Sequence, residues 1–108
     1  MQQIAPQALY IAQCRDHTDG RATENRMRVL AAHLAYIESI IDRIAIAGPL
    51  RDVDGKVVGS VLMYRVATLQ EARALLHADP YFSANIWSHT EVCMFVGVAG
   101  DWAGGKAW

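Results

Sequence analysis

The sequence predicts an α+β domain with the element order β-α-β-β-α-β, and three observations predict it. The apolar period switches from strand-like to helical and back twice along the chain. Asp54-Gly55, a strong hairpin-turn pair, separates the second and third strand-like runs. Pro80 closes the second helical run ahead of a last β-rich stretch, because the residue before a proline is pushed out of the helical region. This order is the split βαβ or ferredoxin-like arrangement, with an antiparallel sheet carrying two helices on one face.

Each element has its own signature. Residues 8–14, ALYIAQC, are short, apolar and rich in Tyr and Ile, as a buried strand is. RDHTDG follows as a polar turn ending in glycine. From 21 to 42, Met27, Leu30, Leu34, Ile37 and Ile41 recur at helical steps, which predicts a helix with these residues as its core stripe. RIAIA, residues 43–47, is too short for a helix and reads as a strand closed by Gly48-Pro49. Residues 57–66 form the next strand, with Val58, Ser60, Leu62 and Tyr64 on one face. Thr68 and Glu71 make a capping box for a helix whose apolar side is Ala72, Leu75 and Leu76. A short turn of helix is expected over 80–85, and TEVCMFVGV, residues 90–98, is the fourth strand. Residues 1–98 thus form one unit, followed by a Gly/Trp-rich tail over 99–108.

A chain of 108 residues, 53% of them hydrophobic, has the material for one core. Its net charge of −1, with acids and bases interspersed, gives no nucleic-acid footprint and no polybasic membrane patch. No apolar run approaches the roughly 20 residues of a membrane span. MQQIAPQALY lacks the layout of a leader, so a cytoplasmic protein is expected, with Cys14 and Cys93 as reduced, buried strand thiols. The sheet face away from the helices would carry apolar side chains with nothing in the chain to cover them. A symmetric homodimer, sheet against sheet, is the simplest solution.

The polar residues in awkward places bear on function. His33 lies amid Leu30-Ala31-Ala32 and Leu34-Ala35-Tyr36, on or beside the apolar stripe. Arg26 projects from the same side two turns earlier, about 10 Å away along the axis, which leaves room for a small molecule. Spacing alone leaves two readings open: a hydrogen-bonded core histidine beside a solvated arginine, or a working pair. Asp79-Pro80 is equally double, since Asp at the N-cap and Pro at the first helical position is what a helix start requires. Ser60 reads as strand filler and Asp16 as a turn residue, while His17, His77 and His89 carry no pattern.

Taken together, the ordered pieces ALYIAQCRD, Arg26 followed by AHLAYI, AGPL…DGKVVGS and ADPY resemble the YCII family, over about residues 8 to 98. The resemblance implies a dimeric α+β barrel, similar in architecture to muconolactone isomerases, and a His–Asp dyad that falls on His33 and Asp79. The family's best-understood activity is dehydrochlorination of a chlorinated hydroxyhydroquinone. By that analogy Arg26 and Ser60 hold the developing oxyanion, Asp16 supports Arg26, and Pro80 follows the dyad Asp. The turn RDHTDGRATEN is longer than the family pattern and lacks its Lys-Pro, and the tail is additional. Both features keep the substrate from carrying over.

The resulting expectation is a cofactor-independent, metal-free lyase or isomerase acting on a small cyclic or phenolic substrate, anionic or aromatic in character. The alternative is a dimer that binds such a ligand without turning it over. Tyr10, Tyr36, Tyr81, Phe82 and Trp87 can line a slot for a planar ring or serve as core.

Overall fold

A computed structural model describes residues 3 and 5–108. Residues 1, 2 and 4, part of the stretch read above for a leader and of the 1–98 unit, lie outside the described residues. The chain runs β1 (Gln7–Asp16), α1 (Arg21–Ser39), a single 3₁₀ turn (Ile41–Arg43), β2 (Ile44–Arg51), β3 (Val57–Tyr64), α2 (Leu69–His77), α3 (Pro80–Ser83) and β4 (Trp87–Gly97). A small hairpin, β5 (Ala99–Gly100) and β6 (Gly105–Lys106), ends it. The four long strands form one antiparallel sheet in the order β2-β3-β1-β4, so the fold is the expected ferredoxin-like α+β arrangement. Among the described residues no helix is long and apolar enough to cross a membrane.

The helix-side face of the sheet holds the core. Tyr10, Ala12 and Cys14 of β1 stand opposite Tyr64, Leu62 and Ser60 of β3, and Leu75, Leu76, Tyr81 and Ile86 close over them. Thr68 caps α2 by accepting the Glu71 N–H at 3.1 Å, but the Glu71 carboxylate accepts the Thr68 hydroxyl proton at 3.2 Å rather than the Thr68 N–H, so only half of the expected capping box forms.

Two expectations about local structure are corrected. β2 does not stop at Ala47 but runs through Gly48-Pro49 to Arg51. It is an edge strand, where a proline without an N–H donor costs no ladder bond. The core stripe of α1 is also displaced. Met27, Leu30, Leu34 and Ile41 are 77, 44, 55 and 60% exposed, while Ala22, Val29, Tyr36, Ile37 and Ile40 pack on the core. The helix carries two apolar stripes, and periodicity alone picked the one with the larger side chains. α1 docks on α3, helped by a 3.2 Å bond from Asn25 Nδ2 to the Ala84 carbonyl, and stands off β2 and β3. A cavity fills the gap, and Leu30 and Leu34 border it.

The other face of the sheet carries Leu9 and Ile11 of β1, Val61 and Met63 of β3, and Phe95 of β4. Phe95 and Ile46 are 43 and 39% exposed there. This face, expected to have nothing in the chain to cover it, is partly covered by the tail. The amide of Gln7 donates to the Ala103 carbonyl at 3.0 Å, and Ala99, Trp102 and Ala103 wall a cavity over Leu9, Met63 and Phe95. Cys14 is buried as expected, but Cys93 is exposed, because its side chain points to this same uncovered face.

Candidate active site

Asp79 organises the site. The α2–α3 junction places it at the N-cap of α3, with Pro80 in the first helical position, and it is fully buried. Its Oδ1 accepts the Tyr81 N–H at 2.9 Å, the capping bond, and also meets His33 Nδ1 at 2.7 Å. A carboxylate has no proton to give, so Nδ1 carries the hydrogen, and in the neutral ring Nε2 keeps its lone pair. No described residue bonds Nε2, and the His33 ring lines the cavity between α1 and the β2–β3 ladder. The two readings of Asp79 left open by the sequence are therefore one structure: a single oxygen is both helix cap and histidine partner.

The imidazole is held from below as well. The His33 and Tyr81 rings are 3.7 Å apart between centroids and 4° from parallel. Trp87 supports Tyr81 edge-on at 6.1 Å. The Arg26 guanidinium lies 5.1 Å from the centre of the Tyr81 ring. The gap between Arg26 and His33 expected from helix geometry is thus floored by Tyr81, and the open volume lies above it. Burial raises the Tyr81 hydroxyl above the usual phenol range, against the opposing pull of Arg26.

Arg26 is anchored by the end of β1. Its Nε and Nη2 each donate at 2.9 Å to one oxygen of Asp16, a bidentate pair with side-chain exposures of 15 and 6%. A register irregularity between Arg15 and Asp16 aims that carboxylate inward. Nη2 also reaches the Gly59 carbonyl at 3.1 Å and Ser60 Oγ at 2.9 Å. Because Ser60 accepts from Arg26, its own hydroxyl proton stays free for another acceptor. Arg26 Nη1 makes no hydrogen bond of good geometry to a described residue, although the Tyr81 hydroxyl is near enough to interact with the guanidinium. Desolvation works to lower the Arg26 pKa, but the bonds to Asp16 outweigh it and raise it, so the guanidinium stays charged.

Close packing fixes this corner. A Cβ at Gly59 would run into the Cys14 carbonyl oxygen, so β1 and β3 approach here as only glycine allows. Burial raises the Cys14 thiol, with the Asp79 and Asp16 charges adding to it, to about 12. A thiol so held is a neutral packing group rather than a nucleophile. Asp79 Oδ2 and the Tyr64 hydroxyl are buried nearby without a protein partner.

The cavity encloses about 530 Å³, within the range of small-molecule sites. Arg26, His33, Ser60 and Tyr81 supply one end, and Leu30, Leu34, Ile37, Ala47, Pro49 and Leu62 its walls. Of the residues singled out in the sequence, Asp16 and Pro80 do not line it: one holds Arg26 and the other fixes the turn that presents Asp79. Among the expected aromatics only Tyr81 lines it. Tyr10 and Trp87 are core, the Tyr36 hydroxyl donates to the Leu75 carbonyl at 2.7 Å, and Phe82 packs on His77. Sequence reasoning missed Arg51, which also lines the cavity; its signal was the two-residue strand alternation from Pro49. Among the described residues no three His, Cys, Asp or Glu side chains converge as a metal ion requires.

Residues 7–96 match the model of the YCII-related domain. The chain belongs to the YCII family. It is 33% identical over 95 residues to Protein YciI of Escherichia coli, covering 81% of this chain and 95% of that protein, and the Shigella flexneri protein of the same name matches equally. Among solved structures it resembles the 5-chloro-2-hydroxyhydroquinone dehydrochlorinase of Burkholderia phenoliruptrix, in complex with 2,5-dihydroxybenzoquinone. That likeness has a TM-score of 0.70 at 23% identity, over 86% of this chain and 96% of that one, and it establishes the shared fold of this YCII protein.

Proposed function

We propose that this YCII protein is a cofactor-independent enzyme that moves a proton on a small cyclic or phenolic substrate, with His33 as base and Asp79 as its orienter. One observation carries the reading: His33 Nδ1 is committed to Asp79, while the same ring lines a cavity with Nε2 free of protein partners. In the step we envisage, Nε2 takes the proton of a substrate hydroxyl and the Asp79 carboxylate stabilises the imidazolium. Arg26 Nη1 and the Ser60 hydroxyl donate to the oxyanion left behind. As the oxyanion collapses to a carbonyl, its electron pair moves through the ring. The pair first takes the proton back from the imidazolium at a ring carbon, an isomerisation. Where that carbon carries a leaving group, Nε2 then removes the proton of a second ring hydroxyl conjugated to it. The electron pair so released expels the group as an anion, a lyase reaction that leaves a quinone. General base catalysis of this kind contributes about 10²–10⁴-fold. The YCII membership and a fold neighbour that is a dehydrochlorinase bound to a quinone support a reaction of this class.

The proposed working unit is a homodimer joined through the outer face of the sheet, where Phe95 and Ile46 stay exposed beside Val61 and Met63. The test of the reaction is a panel of hydroxylated and chlorinated phenols and quinones, followed by proton NMR in deuterated buffer. Deuterium incorporation or release of the leaving group is expected in the wild type and lost in His33→Gln with ligand affinity kept. Ligands that bind at His33 and never react would make the protein a binder instead.

A further inference from the structure

The cavity has a second cationic end that the dyad does not use. Pro49 of β2 pairs with Ser60, and Arg51 pairs with Val57, past an irregularity in the ladder. Arg51 therefore stands on the Pro49 face of the strand, about 7 Å further along it from the level of Ser60. Both Arg51 and Val57 line the cavity there.

The charges differ between the two ends. Arg26 is matched by Asp16 and His33 sits on Asp79. Arg51 lies within 4.0 Å of no carboxylate among the described residues. Its acidic neighbour is turned away, since Asp52 Oδ1 accepts the N–H groups of Asp54 and Lys56, each at 2.9 Å. A 2.7 Å bond from Arg51 Nη1 to the Gly55 carbonyl ties the guanidinium to the hairpin and leaves its other donors unused by described residues. Between the two ends the walls are aliphatic, as a flat ring needs.

We infer that Arg51 is a specificity residue for a carboxylate on the substrate ring, placed opposite the hydroxyl that meets Arg26, Ser60 and His33. The substrate class is a planar hydroxylated ring acid. A guanidinium can offer a carboxylate two N–H donors, and with Nη1 held by the Gly55 carbonyl the exposed Arg51 side chain keeps Nε and Nη2 for one. The inference rests on the ring-binding reading above and adds to it the second substituent.

The experiment compares para-hydroxybenzoate with phenol, titrated into the full chain and followed by NMR shifts of His33 and Tyr81. The carboxylate is expected to bind about tenfold tighter than phenol in the wild type, a typical gain for one charge-assisted contact. Arg51→Gln should remove that preference and leave phenol unchanged, and Arg51→Lys should restore part of it. Equal affinity of the two probes in the wild type overturns the assignment, as does a preference that survives Arg51→Gln. If phenol binds at His33 without a carboxylate preference, only the role of Arg51 falls. If neither probe moves His33 or Tyr81, the ring-binding reading falls and takes this inference with it.

Discussion

His33 and Tyr81 stack with centroids 3.7 Å apart, and both are tied to one atom: Asp79 Oδ1 accepts the Tyr81 N–H and meets His33 Nδ1. The cap that starts α3 therefore sets the orientation of an imidazole on α1. Asn is as good an N-cap as Asp, so Asp79→Asn keeps the capping oxygen but removes the charge that stabilises an imidazolium. Thermal melting of this variant is expected to stay within a few degrees of the wild type, with turnover lower by at least about 100-fold. Asp79→Ala loses the cap as well and should cost a further ~1–2 kcal/mol. Equal melting of the Asn and Ala variants would detach the cap from the dyad.

Gly59 is the second place where backbone and site coincide. Its carbonyl accepts from Arg26, and a methyl group at its Cα would meet the Cys14 carbonyl. Overpacking of this kind typically costs about 1–3 kcal/mol. Gly59→Ala should therefore destabilise by that amount in urea and weaken ligand binding, because β3 must move away from β1 and take Ser60 with it. A control at Gly48, where a Cβ meets nothing within 4 Å, should melt like the wild type.

Most of this was readable before any coordinates, and the failures share one cause. Alternation placed Ser60, Leu62 and Tyr64 on one face, and the ADPY punctuation placed Asp79 at a cap, because local rules govern both. The resemblance to the YCII family, rather than periodicity, put His33 with Asp79. The stripe Met27, Leu30 and Leu34 was misplaced because nothing local tells an apolar residue in the core from one at a cavity mouth. Arg51 was missed for the same reason, since its neighbours across the cavity come from α1, distant in sequence.

The outer face of the sheet gives a test of assembly. Phe95 and Ile46 remain about two-fifths exposed there although the tail hairpin covers the neighbouring Leu9 and Met63. Sedimentation at micromolar concentration should give a dimer for the wild type. Phe95→Glu, which would bury a carboxylate between two apolar sheets, should give a monomer. Its helix-side core, including the His33–Asp79 bond, is on the opposite face and should keep its circular dichroism. A monomeric wild type would end the dimer proposal.

Cys14 yields a prediction at alkaline pH. Its thiol is held at about 12 in the folded chain, chiefly by burial, against about 9 when free in the unfolded chain. Between these values the unfolded chain releases the proton and the folded chain keeps it, so the unfolded state binds fewer protons. Stability must then fall as pH rises from about 9 towards 12, by up to about 1.4 kcal/mol per pH unit from this group. Below pH 9 the thiol contributes no slope, since both states hold the proton. Tyr64, also raised by burial and then by the Asp79 charge, adds a loss of the same sign at higher pH. The contribution of Cys14 is therefore read as a difference. Urea unfolding of the wild type and Cys14→Ala at a series of pH values should give curves that converge as pH rises past 9. Curves that stay parallel over that range would mean the thiol ionises alike in both states.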